Sequence, residues 1–285
     1  MARRTPSQLN MLLAVDKPVG CTSHDVVSQC RRALHERRVG HAGTLDPMAT
    51  GVLVVGFGNA TRLLNHIVEH DKTYEATIRL GQSTTTDDAD GELLSATLPE
   101  RWQELLALPV AGGPQSAGEN GPVNAAKGSA MAAAKVADDG SAYHPHQEAF
   151  LPDCQQLWRD RIDDIIALQL TGSIEQVPNT FSAIKINGQR AYDLARDGKD
   201  VQLKARRITV SAFGVLDVRF GYAPTRQLGL PLVSAADGRA TTERDDAEAT
   251  PVIDVDVRVS CSAGTYIRAL GRDLGAALGV GGHLI

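Results

Sequence analysis

Thirty-two consecutive residues, Ala111 to Ala142, contain 10 Ala and 6 Gly and no apolar periodicity. Such a stretch has little to bury and reads as a flexible Ala/Gly-rich insertion over about residues 109–150. Any core must therefore come from the two flanks, and a chain of 285 residues leaves them long enough to build one. A second polar stretch, at about residues 221–250, includes Glu243-Arg244-Asp245-Asp246 and reads as a loop between strands. Long structureless loops are uncommon inside compact domains, so both stretches read as excursions from a core that does without them.

The flanks alternate strand and helix patterns. Met11–Val15 is an apolar run ended by Asp16-Lys17-Pro18-Val19-Gly20, a strand and then a turn. Ser23 is placed to cap a helix whose face carries Val26, Val27, Cys30, Ala33 and Leu34. Gly51–Phe57 reads as a buried strand by its β-branched content, and Thr73–Leu80 as a strand with Tyr74, Ala76 and Ile78 on one face. Ala60–Val68, Trp102–Leu108, Leu157–Ala167, Ala191–Arg196 and Tyr266–Leu278 read as helices. Phe181–Ile186, Ile208–Phe220 and Val252–Ser260 read as strands. There is no regular βαβ period and no glycine-rich phosphate loop. The pattern predicts an α+β fold with a mixed, mainly antiparallel sheet flanked by helices and loops.

The formal net charge of −5 argues, taken whole, against a strongly basic nucleic-acid binder. Its distribution reverses that inference. Residues 1–72 hold 9 Lys/Arg against 6 Asp/Glu, and residues 181–210 hold 7 against 3. Residues 86–164 hold 5 against 14. Two basic blocks thus flank an acidic one. The four cysteines form no Cys-x-x-Cys pair, which leaves zinc ribbons and thioredoxin-like sites without support. Arg3 and Arg4 have no apolar run behind them, and nothing approaches the roughly 20 apolar residues of a membrane helix, so a cytoplasmic location is expected.

The densest motif is Gly40-His41-Ala42-Gly43-Thr44-Leu45-Asp46-Pro47-Met48-Ala49-Thr50-Gly51-Val52-Leu53. Its glycines and its proline turn the backbone sharply just before a buried strand, and they present one carboxylate, Asp46, on a loop. Four further segments accompany it: Asp16-Lys17-Pro18-Val19-Gly20; Lys72-Thr73-Tyr74 with Thr86-Asp87-Asp88-Ala89-Asp90-Gly91; Gln176-Val177-Pro178-Asn179-Thr180-Phe181-Ser182-Ala183 with Leu194-Ala195-Arg196; and Cys261-Ser262-Ala263-Gly264-Thr265-Tyr266-Ile267-Arg268. Singly, each has an ordinary role as a turn, a strand face or a solvated ion pair.

In this order and spacing the segments resemble the TruB-type tRNA pseudouridine synthases, over about residues 12–108 and 157–285. The resemblance implies a pseudouridine synthase fold, with residues 1–285 forming the catalytic domain around the two excursions. It implies isomerisation of uridine-55 in the T-loop of tRNA, with no cofactor or metal. It makes Asp46 the catalytic aspartate, with Arg196 and Asp88 in an ionic network around it. It makes Tyr74 the residue that stacks on the target base and His41 one that enters the T-loop. It puts Lys17, in a structural Lys-Pro-x-Gly motif near the site, among the substrate-binding residues, and Leu194 falls where the family often has a substrate-contacting aromatic residue. Asn179 stands where a second proline is common, and Ala263 where a lysine is common. Family members usually continue into an Arg-rich strand and a C-terminal RNA-binding domain of the PUA type; this chain stops at Ile285, so that domain is expected to be absent.

The implied partner is tRNA, with no membrane and no obligatory protein partner, and a monomer is expected. The alternatives are a non-catalytic tRNA-binding or folding module and a guide-RNA-dependent synthase; the local motifs fit the stand-alone pattern better. Arg31, Arg32, Arg37 and Arg38, and Lys185, Arg190, Lys199, Lys204, Arg206 and Arg207, are expected to meet on the face bearing Asp46 and to hold phosphates there.

Overall fold

The computed structural model describes residues 9–106, 152–179, 203–225 and 249–285, together with the backbone of four two-residue strands. The insertion at 109–150 lies outside the described residues, as do the expected helix Ala191–Arg196 and most of the expected strand Phe181–Ile186.

The first part of the chain folds as β1 (Leu12–Lys17), α1 (Ser23–Ala33), β2 (Val39–Ala42) and β3 (Gly51–Phe57), then a 3-10 turn at Gly58–Arg62 and α2 (Leu64–Val68). The three strands make an antiparallel sheet in the order β1-β3-β2. Val26, Leu53, Val55 and Phe57 form its small core. Helix α1 is capped by Thr22 rather than by Ser23. Thr22 is extended, its hydroxyl accepts from the Asp25 amide at 3.1 Å, and the Asp25 carboxylate accepts from the Thr22 amide at 2.9 Å. This reciprocal box satisfies two helix-end donors and frees Ser23 for another task. Strand β2 lies inside the segment that reads as a loop; Gly40 lets it approach Leu64 closely.

A second sheet carries most of the core. It contains β4 (Lys72–Leu80), β7 (Gly172–Gln176), β10 (Arg206–Pro224), β13 (Ala249–Cys261) and β14 (Gly282–Leu284), in the order β14-β4-β13-β10-β7. Every neighbouring pair is antiparallel, as the sequence predicts for most of the sheet. Alternation along β13 sends Ile253, Val255, Val257 and Val259 into the core and leaves Asp254, Asp256 and Arg258 on the other face. The ladder between β10 and β13 runs to Pro224↔Ala249, so the strands reach into both ends of the stretch read as a loop from about 221. Buried Ala223, Thr250 and Pro251 show why: this end of the ladder is still packed.

Three helices cover the apolar face: α3 (Pro99–Leu106), α4 (Pro152–Gln169) and α5 (Ile267–Leu278). Trp102 of α3 and Trp158 of α4 pack edge to face with centroids 5.0 Å apart, a favoured aromatic geometry. Short ribbons complete the set: β5 (Gln82–Thr84) with β6 (Leu93–Ala96), β8 (Lys185–Ile186) with β9 (Gln189–Arg190), and β11 (Leu232–Val233) with β12 (Ala240–Thr241). The turn between β5 and β6 carries Asp87 and Asp88 to the N-terminal end of α5. Among the described residues no helix is long and apolar enough to cross a membrane.

Candidate active site

Asp46 sits on the loop between β2 and β3, and that loop is pinned from three directions. Pro47 opens a tight turn in which the Ala49 amide donates to the Asp46 carbonyl at 3.1 Å. Gly43 and Gly51 bracket the loop at φ +94° and +117°, conformations that side chains with a Cβ rarely adopt. From β1, the fully buried Lys17 donates to the carbonyls of Pro18 at 2.9 Å, Pro47 at 3.3 Å and Ala49 at 2.6 Å. From α1, the Ser23 hydroxyl accepts from the Leu45 amide at 2.9 Å and donates to the Leu45 carbonyl at 3.2 Å. Lys17 therefore spends its donors on backbone carbonyls, two of them in the loop.

The guanidinium facing Asp46 belongs to Arg268, the second residue of α5. Its Nε lies 2.9 Å from Asp46 Oδ2 and its Nη2 donates to Oδ1 at 3.1 Å, a side-on pairing that fixes the carboxylate plane. Its Nη1 donates to Asp88 Oδ2 at 3.0 Å and to the Thr86 carbonyl at 3.1 Å. Asp88 is buried and also accepts from the Thr86 hydroxyl and the Asp90 amide. Asp46 keeps 39% of its side chain exposed, so the carboxylate is held from behind and open in front. Burial pushes its pKa above the ordinary carboxylate value; the Arg268 and Lys17 cations pull the other way and the Asp88 charge adds to the rise.

The open side is a cavity of about 310 Å³ that continues into a cleft of about 920 Å³. Both are lined by Asp46, Arg268 and Tyr74 of β4, and the smaller one also by Tyr266. Burial raises the Tyr74 phenol pKa, with Cys261 and Asp46 adding to it, so the ring meets the cavity uncharged at neutral pH. Tyr266 precedes α5 and is held by Gln176 of β7, whose amide both accepts from its N–H at 2.9 Å and donates to its carbonyl at 3.0 Å. His41 stands half-buried on β2 with its Nδ1 against the Gly43 carbonyl.

A carboxylate clamped side-on by an arginine, with a tyrosine beside it, can be set against comparisons with known proteins. The family model described as "TruB family pseudouridylate synthase (N terminal domain)" matches residues 31–107 and 134–227. The chain belongs to the TruB family. The tRNA pseudouridine synthase B of Bifidobacterium longum (strain NCC 2705) is 53% identical over 287 residues, covering 100% of this chain and 62% of that protein. The protein of the same name from Thermobifida fusca (strain YX) is 45% identical over 273 residues, covering 96% of this chain and 66% of its own length. The chain thus spans less than two thirds of the first of these TruB relatives. A solved structure titled "Crystal Structure of a Cbf5-Nop10-Gar1 Complex" aligns over 96% of this chain and 46% of its own with a TM-score of 0.48 and 23% identity.

Of the residues singled out in the TruB motifs, the structure brings together Asp46, Asp88 and Tyr74, with Lys17 behind the loop and His41 on the preceding strand. Arg196 and Leu194 lie outside the described residues. Among the described residues, Arg268 stands between Asp46 and Asp88, the position that the resemblance assigns to Arg196. Arg268 closes the Cys261–Arg268 motif and Tyr266 stands two residues before it, but no local feature of that motif specifies that it folds onto Asp46. Asn179, noted only as a departure, donates to Asp87 Oδ2 at 2.6 Å and to the Thr86 carbonyl at 2.8 Å. Of the second basic block, Lys204, Arg206 and Arg207 are described and exposed, with Arg207 paired to Glu175; the rest of that block has no described side chains.

Proposed function

We propose that this chain isomerises uridine to pseudouridine in the T-loop of tRNA, at uridine-55, with Asp46 as the catalytic carboxylate. The observation that carries the reading is the side-on pairing of Arg268 with Asp46 at the wall of a cavity that Tyr74 and Tyr266 also line. The names of the TruB relatives and the match of the family model support it.

In this reaction the C1′–N1 bond breaks, the uracil turns, and a C1′–C5 bond forms. C5 loses its hydrogen and N1 gains one, so the product is an isomer. Asp46 acts either by attack on C1′ or by taking the proton from C2′, and both routes need the ionised carboxylate. Arg268 keeps it ionised and aimed. Taking the base out of its stack costs a few kcal/mol, and stacking on an aromatic face such as Tyr74 offsets this by about 1–3 kcal/mol. Arg31, Arg32, Arg37 and Arg38, with the second basic block, supply salt-sensitive phosphate contacts. The chain acts in the cytoplasm as a monomer, without a guide RNA or protein partner.

Release of tritium from C5-labelled uridine in a free T-loop transcript tests the reading. Wild type is expected to release it, and Asp46→Asn to lose at least about a thousandfold in rate, the scale of removing an essential charged group. Equal release by both sinks the assignment. Binding without release favours a tRNA-binding module, and release only with an added guide RNA favours a guided enzyme. Because burial raises the Asp46 pKa, the acid limb of the rate is expected above the pH at which an exposed aspartate titrates.

A further inference from the structure

Arg268 is not held by Asp46 and Asp88 alone. One turn further along α5, Arg272 makes a parallel set of contacts. Its Nη1 donates to Asp87 Oδ2 at 3.1 Å and its Nη2 to the Val177 carbonyl at 2.7 Å. Residues four apart share a helix face, so the two arginines meet the two adjacent carboxylates of one turn. Asp87 manages this with a left-handed backbone, φ +57°, which sends its carboxylate to Arg272 while Asp88 points at Arg268. Asn179 closes the set, donating both to Asp87 Oδ2 and to the Thr86 carbonyl that Arg268 also uses. Burial pushes the Asp87 carboxyl pKa up, and Arg272 is the largest of the groups opposing that rise.

We propose that Arg272, Asp87 and Asn179 form a clasp that fixes the Thr86–Asp88 turn, and so positions Arg268 against Asp46. The clasp rests on the proposed reading of Asp46 only for its effect on catalysis. Its three residues touch no reacting atom; they are positioning residues. Without the Asp87–Arg272 pair, the turn loses the charge that holds its left-handed residue, Asp88 gains freedom, and the Arg268 fork no longer has a fixed anchor on its far side. A guanidinium that wanders from Asp46 stabilises the carboxylate less. The titratable groups around Asp46 are Arg268 from α5, Asp88 from the turn and Lys17 from β1, with Tyr266 just before α5 and Lys72, Tyr74 and Glu75 from β4 lining the same cavity. Of the cations among them, only Arg268 is tied to the clasp.

The test is the titration midpoint of Asp46, read from its side-chain carboxyl carbon by NMR in the intact chain. Asp87→Asn removes one charge and keeps a residue that tolerates the left-handed backbone. Arg272→Gln removes the other. Both are expected to raise the midpoint by about half a unit or more, since an opposite charge in contact commonly lowers a carboxylate by one to three units. The acid limb of kcat should move by the same amount, with KM for the transcript within about twofold; Arg272→Lys should restore part of the shift. A merely structural role would reduce the folded fraction, and the direct charge effect alone would lower the midpoint in Asp87→Asn while raising it in Arg272→Gln, so a rise in Asp87→Asn is the deciding sign. An unmoved midpoint in folded Asp87→Asn and Arg272→Gln overturns the clasp. Should either variant fail to fold, Asn179→Ala, which removes a neutral donor, gives the deciding midpoint. Moved midpoints in the variants, alongside a wild-type protein that releases no tritium, keep the clasp and reject the catalytic reading. Release with an unmoved midpoint does the reverse.

Discussion

The loop that carries Asp46 and the turn that carries Asp87 and Asp88 face each other across Arg268, yet they are held by different chemistry. The loop is held by its backbone: one buried ammonium shared among three carbonyls, and one hydroxyl on Leu45. The turn is held by backbone bonds as well, to the carbonyls of Thr86, Asp87 and Asp88, but its two carboxylates are in addition locked in arginine pairs. Backbone contacts fix where a segment lies and leave its side chain free to meet substrate. Carboxylate contacts fix direction and charge, but occupy the groups they hold. The difference suits the proposed division of labour, in which Asp46 must react and Asp88 must only orient Arg268.

The largest expected effect falls on the residue that joins the two regions. Arg268→Lys keeps the charge but replaces a planar fork with a single point donor, which cannot serve Asp46 and Asp88 together. Turnover of the T-loop transcript is expected to fall about a hundredfold, the scale of a misplaced reacting group, with transcript affinity little changed. The same assay on Arg196→Met examines the role the resemblance assigned to that residue. Survival of turnover in Arg268→Lys together with its loss in Arg196→Met would move the catalytic pairing away from Arg268.

How much of this was legible beforehand divides along the same line. Gly51–Phe57 was readable as a strand to the residue, and Asp46 stood out, because both are local: a β-branched run and a turn motif. The helix beginning near Ser23 was legible too, but its cap was misassigned by one residue, since Thr22 and Ser23 can both cap and only Leu45 shows which is otherwise engaged. Strand β2 was hidden by Gly40, which depresses strand propensity and is needed here for close packing on Leu64. Arg268 lies 222 residues from Asp46, and nothing in the spacing of a sequence reports which distant arginine a fold will deliver.

On the loop side the expected effects are smaller in rate and larger in stability. Lys17→Met keeps the volume and removes the buried ammonium, leaving the partly buried Ala49 carbonyl without that donor. The loss is expected to be about 2–4 kcal/mol, as for deleting a buried charged donor. Thermal melting should show it as a lowered midpoint. If the comparison holds, turnover per folded molecule falls as well, because the Asp46 turn loses its floor. A stability loss with unchanged turnover would mean that Arg268 alone aims the carboxylate.

The finest distinction is between the neighbours Thr22 and Ser23. Thr22→Ala removes a helix cap whose side-chain hydrogen bonds go to Asp25, so it is expected to cost about 1 kcal/mol of stability. Its turnover should match wild type. Ser23→Ala leaves the cap in place and instead strips both hydrogen bonds from Leu45, the residue next to Asp46. Its stability cost should be similar, about 1–2 kcal/mol for unpaired, partly buried backbone groups. Its effect on kcat should differ, falling several-fold as the loop shifts. Melting curves and single-turnover rates on the two variants would separate them. Equal kcat in both would show that the loop is aimed by the Lys17 carbonyl cage alone, and that the hydroxyl on Leu45 serves only the packing of α1.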